Sequence, residues 1–172
     1  MSERDGDQGS PTPSEAPLAV PVRLLSGSAR LPRRAYEHDA AWDLFAAEEA
    51  VIPPLGRAVI GTGVALGLPP GVAALTLPRS GLAVRHGISI VNAPGLIDPG
   101  YRGEVKVILL NTDAEHVFPV AVGDRIAQLL LVGLPNVALA RADSLDDTHR
   151  GSQGFGSSGH GGDPEMGEGP AA

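Results

Sequence analysis

Between residues 20 and 145 short apolar runs alternate with turn-forming residues. The runs span 59–68, 72–77, 88–91, 104–110, 117–120, 126–132 and 137–142, and several are rich in β-branched residues. Punctuation between them is dense: Pro53-Pro54, Pro69-Pro70-Gly71, Pro94-Gly95, Asp98-Pro99-Gly100, Asn111-Thr112-Asp113 and Gly123-Asp124. Many short strands with frequent turns predict an all-β sandwich or barrel. Two stretches break the pattern. Residues 40–50 (AAWDLFAAEEA) are helical by propensity alone. Residues 80–86 predict one short helix with Ser80 at its N-terminus.

Composition narrows this picture. The chain has 172 residues, 42% of them hydrophobic, enough for one core and one domain. Aromatics make up only 3%, so Val, Leu, Ile and Ala must fill that core. With no cysteine, disulfides, thiolate metal sites and cysteine nucleophiles are excluded. No apolar run reaches membrane-span length and no secretory signal is visible, so a cytoplasmic protein without membrane contact is expected. The net charge of −7 argues against a nucleic-acid surface. Most of it sits at the ends. Residues 1–16 hold four acids and one Arg and read as a disordered leader; residues 151–172 hold three acids and no Lys or Arg. The segment between is nearly neutral, and any anion site in it must be built from a few placed arginines.

Four segments carry candidate chemistry. In Pro78-Arg79-Ser80-Gly81, the amides of a helix start, the Ser80 hydroxyl and Arg79 could face one phosphate; a surface turn with a solvated Arg is the plain alternative. In the stretch from Asn92 to Glu104, Asp98 lies in a turn flanked by apolar residues, where a carboxylate can act as a base on water. Tyr101 offers a flat face for a sugar or base. Equally, this is a hairpin whose Asp98 makes an Asx-turn and whose Arg102–Glu104 pair is structural. Gly123-Asp124 makes a tight turn before a strand carrying Arg125 and Gln128, residues that more often organise backbone than touch a ligand. Finally, residues 150–159 (RGSQGFGSSG) have glycines that can wrap phosphate oxygens, one Arg, and a lone Phe155 able to stack on a base. No Gly-Lys-Ser/Thr follows, so a P-loop is not supported.

Taken in order with 40–44 (AAWDL), these segments resemble the five motifs of the trimeric deoxyuridine triphosphatase (dUTPase) family, from about residue 23 to residue 160. The first motif has Ala41 and Trp42 where the family usually has glycine and a smaller or different apolar residue, and it retains Asp43. The resemblance implies a jelly-roll-like β-subunit of the β-clip type over 17–149, with 40–50 mostly extended, one short helix, and residues 150–172 as a flexible arm. It implies a homotrimer whose sites each borrow motifs from all three subunits, and hydrolysis of dUTP to dUMP and pyrophosphate with Mg²⁺ held by the triphosphate. Asp98 matches the base that orients and deprotonates the attacking water. Tyr101 matches the ring that packs on deoxyribose and excludes a 2′-hydroxyl. Asn92, Ile97 and the hairpin backbone as far as Lys106 match the reader of uracil, where a 5-methyl group would clash. Arg79, Ser80, Gly81 and Gln128 match phosphate contacts, and Asp43 the acid that reaches Mg²⁺ through water. Arg150, Phe155, Gly156, Ser157 and Ser158 match the arm that closes over uracil and the γ-phosphate. The alternatives are a dCTP deaminase-like or bifunctional enzyme on the same fold, marked by ammonia release from dCTP, and a non-catalytic nucleotide-binding homologue.

Overall fold

A computed structural model describes residues 18–149 and 151–152. The chain divides into two units, residues 1–136 and 137–172. The described part of the first unit contains β1 (Val22–Leu24), β2 (Trp42–Phe45), β3 (Ala50–Ile52), β4 (Arg57–Leu66), β5 (Val72–Leu77), α1 (Ser80–His86), β6 (Ile88–Ile90), β7 (Gly95–Ile97), β8 (Glu104–Asn111), β9 (Phe118–Val120) and β10 (Arg125–Gly133). They form two four-stranded sheets, β1-β4-β8-β6 and β2-β10-β5-β7, and a β3-β9 ribbon. Every pairing is antiparallel.

The all-β expectation holds, and its cause is visible in the strands. Along β8, Val105, Val107, Leu109 and Asn111 are buried while the residues between them are half-buried or exposed, the period-2 pattern of a strand with one core face. One apolar cluster draws Ile60, Val64 and Leu66 from β4 and Val105, Val107 and Leu109 from β8. From the other sheet come Leu44, Ala74, Ile97 and Leu129, making a β-sandwich core filled by aliphatics. Full burial of one such side chain is worth about 1.5–3 kcal/mol. Asn111, also fully buried, spends its amide on the carbonyls of Ile52, Pro53 and His116, tying the end of β8 to β3 and to the loop before β9.

Residues 40–50 are not helical, as the family resemblance implied and propensity did not. Alanine's preference for helix amounts to less than about 1 kcal/mol per residue. Pairing Trp42–Phe45 on β10 puts Leu44 and Phe45 in the interior and gives Asp43 charged partners, and this outweighs it. The glycine-to-alanine departure at Ala41 is harmless for the backbone, because Leu55 is the residue other than glycine with positive φ among the described residues. The helix at Ser80–His86 forms where expected, closed by Gly87 at φ 62°.

In the second unit, the expected strand over 137–142 is absent: those residues lie outside every strand, with Val137 and Leu139 exposed. A run rich in β-formers becomes a strand only where a neighbour takes its backbone groups. Among the described residues no strand pairs with 137–142. The Gly151 amide donates to the Thr148 carbonyl at 3.0 Å. The expected leader, residues 1–16, lies outside the described residues.

Candidate active site

The hairpin joining β7 to β8 borders a pocket of about 270 Å³. Its walls include Thr76, Asn92, Ile97, Asp98, Tyr101, Glu104 and Lys106, so five of the residues singled out in the sequence meet at one cavity. The loop is shaped from within. Tyr101 N–H donates to the Asp98 carbonyl at 3.1 Å, and the Tyr101 hydroxyl donates to the Glu104 carbonyl at 3.0 Å. Arg102 donates to the carbonyls of Pro99 and Tyr101. The ring keeps this position over a glycine, since a Cβ on Gly103 would press on the Tyr101 hydroxyl and displace it. At the start of β7, a Cβ on Gly95 would lie 2.2 Å from Thr76 Oγ1.

These contacts separate the two readings of the hairpin. Among the described residues the Asp98 carboxylate accepts no hydrogen bond, and its backbone carbonyl closes the turn instead; the Asx-turn is not formed. Nor do Arg102 and Glu104 pair. Glu104 accepts the Gly63 amide at 2.8 Å and lies 3.4 Å from Lys106 Nζ. Asp98 is exposed at the pocket rim, with its oxygens available to a water or a ligand.

A second cluster lies where β2, β10 and β5 run side by side. Asp43 is 5% exposed, and both its oxygens are engaged: Arg79 Nε is 3.3 Å from Oδ1 and Arg125 Nη1 is 3.2 Å from Oδ2. Arg79 also donates to the Arg125 carbonyl at 2.9 Å. Gln128 sits opposite Asp43 on one side and opposite Leu77 on the other, so it belongs to the same row. Ser80 and Gly81 follow Arg79 at the start of α1, and Ser80 is exposed. The sequence pattern predicts a backbone organiser at Arg125, whereas its side chain holds the carboxylate. The available signal was a lone arginine entering an apolar strand directly after a Gly-Asp turn. Two guanidinium groups around one carboxylate leave a net positive charge, suited to an anion with several oxygens.

No group of three or more His, Asp or Glu positioned to hold a metal exists among the described residues. Magnesium is commonly held by one or two carboxylates plus substrate phosphates and water. Asp43, with each oxygen already bonded to an arginine, fits a contact through water better than direct ligation. The arm residues Arg150, Phe155, Gly156, Ser157 and Ser158 lie outside the described residues.

Asp98 and the arginine cluster do not meet within one chain. Register puts Asp43 level with Leu77 of β5, and Asp98 just beyond Ile97, which pairs with Ala74. Across the strand order β2-β10-β5-β7, this is a diagonal of roughly 20 Å at ordinary strand spacing and rise.

The dUTPase family model matches residues 28–159. The deoxyuridine 5'-triphosphate nucleotidohydrolase of Leifsonia xyli is 51% identical over 131 residues, covering 76% of this chain and 86% of that protein. The enzyme of that name from Corynebacterium glutamicum is 50% identical over 141 residues, covering 82% of this chain and 95% of its own. Among solved structures, the Staphylococcus bacteriophage 80alpha dUTPase with dUPNHPP superposes with a TM-score of 0.76 at 32% identity, over 83% of this chain and 99% of that one. The dUTPase from phage phi11 of S. aureus, described with a structural Mg(II) ion, gives 0.70 at 29% identity over 74% and 98%. On motif order, antiparallel β-architecture and these likenesses together, the chain belongs to the dUTPase family.

Proposed function

We infer that this chain hydrolyses dUTP to dUMP and diphosphate, with the β7–β8 hairpin as the nucleoside pocket and the Asp43–Arg79–Arg125–Gln128 row as the phosphate site. The observation that carries this reading is the exposed Asp98 carboxylate, unbonded among the described residues, at the rim of a pocket walled by Asn92, Ile97, Tyr101 and Lys106. Asp98 holds a water at its carboxylate and takes one proton as the water oxygen bonds the α-phosphorus. The bond from that phosphorus to the bridging oxygen breaks, and the electron pair leaves with diphosphate. Hairpin polar groups bind uracil by its pairing edge, and Tyr101 packs against deoxyribose. Arg79, Ser80, Gly81 and Gln128 bind phosphate oxygens, while Asp43 keeps two guanidinium groups pointed at them. Mg²⁺, when bound with the triphosphate, would supply charge neutralisation, and Asp43 is the residue that would hold it, through water. Arg150, Phe155, Gly156, Ser157 and Ser158 form the arm that folds over the bound nucleotide and excludes water.

A separation of roughly 20 Å between Asp98 and Asp43 is too great for one chain to serve both sides of one α-phosphate. It supports a homotrimer in which one subunit's hairpin faces another's arginine row. The reading carries with it a cytoplasmic enzyme that works on free nucleotide, limiting uracil in DNA and supplying dUMP; no described helix is long and apolar enough to cross a membrane. Diphosphate release from dUTP, dCTP, dTTP and UTP by the full chain with Mg²⁺ tests it. Turnover of dUTP far above the other three is expected. Ammonia release from dCTP, or dUTP binding without diphosphate release, would replace it. Asp98→Asn should bind dUTP normally and lose about 10²–10⁴-fold in kcat, the usual contribution of a general base.

A further inference from the structure

The segment before β2 brings another arginine beside the row that holds Asp43. Arg33 forms an isolated antiparallel bridge to Asp43. Asp43 N–H donates to the Arg33 carbonyl at 2.8 Å, and Arg33 N–H donates back at 3.4 Å. Residues opposed in this way carry their side chains to the same face, and their neighbours point to the other. The next pair in the register shows the parity directly: Arg34 lies over the Trp42 ring, with its guanidinium carbon 4.0 Å from the centroid. Trp42 and Arg34 line an apolar groove with Leu129 and Leu131. Asp43 faces the opposite way, towards Arg79 and Arg125. Arg33 therefore stands on the Asp43 face, flanking that carboxylate on the side away from Gln128.

Charge decides what it does there. Both Asp43 oxygens are taken by Arg79 and Arg125, so one carboxylate already serves two guanidinium groups. Arg33 is exposed, and no ion pair is formed by it among the described residues. Concentrating a third cation beside two others is unfavourable unless an anion joins them. A triphosphate carrying one divalent cation still has net negative charge and many acceptor oxygens, and a guanidinium meets two of these at once.

We propose that Arg33 is a further substrate-binding residue, contributing its guanidinium to the phosphate chain alongside Arg79 and Gln128. This rests on the dUTPase reading for the identity of the nucleotide, and its test separates the two. Arg33→Ala, Arg33→Lys and Arg34→Ala are compared with the unaltered full chain for dUTP kinetics and for calorimetric binding of inorganic pyrophosphate. Arg33→Ala should raise KM about tenfold, with kcat within about twofold, and weaken pyrophosphate binding by a similar factor, as for one lost charge-assisted contact. Arg33→Lys should recover part of both. Arg34→Ala removes the same charge one residue away on the other face, and should lower the melting temperature without changing either affinity. Unchanged KM and pyrophosphate affinity in Arg33→Ala would overturn the assignment, as would an equal loss of affinity in Arg34→Ala. If the unaltered chain does not turn over dUTP, the dUTPase reading fails, while the pyrophosphate comparison still decides the role of Arg33.

Discussion

Two carboxylates in this protein are handled in opposite ways. Asp43 is buried and holds an arginine on each oxygen, whereas Asp98 is exposed with its oxygens unengaged among the described residues. The first is a structural anchor for cations, and the second is available for proton transfer. Removing the anchor should cost both stability and binding. Asp43→Ala leaves two guanidinium groups without their partner, and since both are partly exposed we expect a loss of about 2 kcal/mol rather than the larger penalty of a fully buried pair. Thermal unfolding measures that loss, and KM for dUTP should rise alongside it. Tyr101 makes a different prediction. Its hydroxyl ties the hairpin to the Glu104 carbonyl, while its ring walls the pocket. Tyr101→Phe should keep discrimination between dUTP and UTP, and Tyr101→Ala should relax it; equal discrimination in both variants would place sugar selection elsewhere.

At the level of elements, the contact between β5 and β7 sets the pocket floor. Gly95 and Thr76 are register partners, and the space between them admits no Cβ. Gly95→Ala should destabilise by about 1–3 kcal/mol through overpacking, and Thr76→Ala in the same chain should restore part of that loss. Denaturant unfolding of the two single variants and the double variant gives the coupling. In the loop between β8 and β9, Asp113 accepts the amides of Glu115 and His116, which hold its carboxyl below the ordinary value. Such a group stabilises the fold at neutral pH, and its contribution fades as pH falls through the lowered value. Asp113→Ala should therefore lower the melting temperature slightly at pH 7, and the difference should vanish in acid.

These elements were unevenly legible in the sequence. Strands such as β5 and β8 announce themselves because their own alternation or β-branched content matches the core they face. Trp42–Phe45 does not, since its strand state comes from β10, more than eighty residues downstream in the register. The run at 137–142 failed for the converse reason, having strand chemistry and no partner strand among the described residues. Within the site, the hairpin residues were legible because one continuous segment supplies most of them. The grouping of Asp43 with Arg125 was not, because it depends on strand order. Arg125 sits 82 residues from the carboxylate it binds.

On the scale of the whole molecule, the proposed assembly and the arm make separable predictions. Truncation after Thr148 leaves every described strand intact, so the body should keep its secondary structure and its oligomeric mass while losing most of its turnover. Light scattering and the diphosphate assay on the same sample check both. Normal turnover by the truncated chain would make the tail a linker. The trimer predicts a solution mass three times that of the chain; a monomer that turns over dUTP normally would contradict a shared site.

The distance between Asp98 and the arginine row also has a genetic consequence. If each centre takes its base from one subunit and its cations from the next, two inactive proteins can repair one another. Co-expressing Asp98→Asn with Arg79→Ala chains would place an intact Asp98 beside an intact Arg79 at one junction of every mixed trimer. Neither parent trimer has such a junction. With random assembly at equal dose, about a quarter of normal activity should return. Complementation between alleles of one gene would thus follow from nothing more than which corner of a β-sheet each residue occupies.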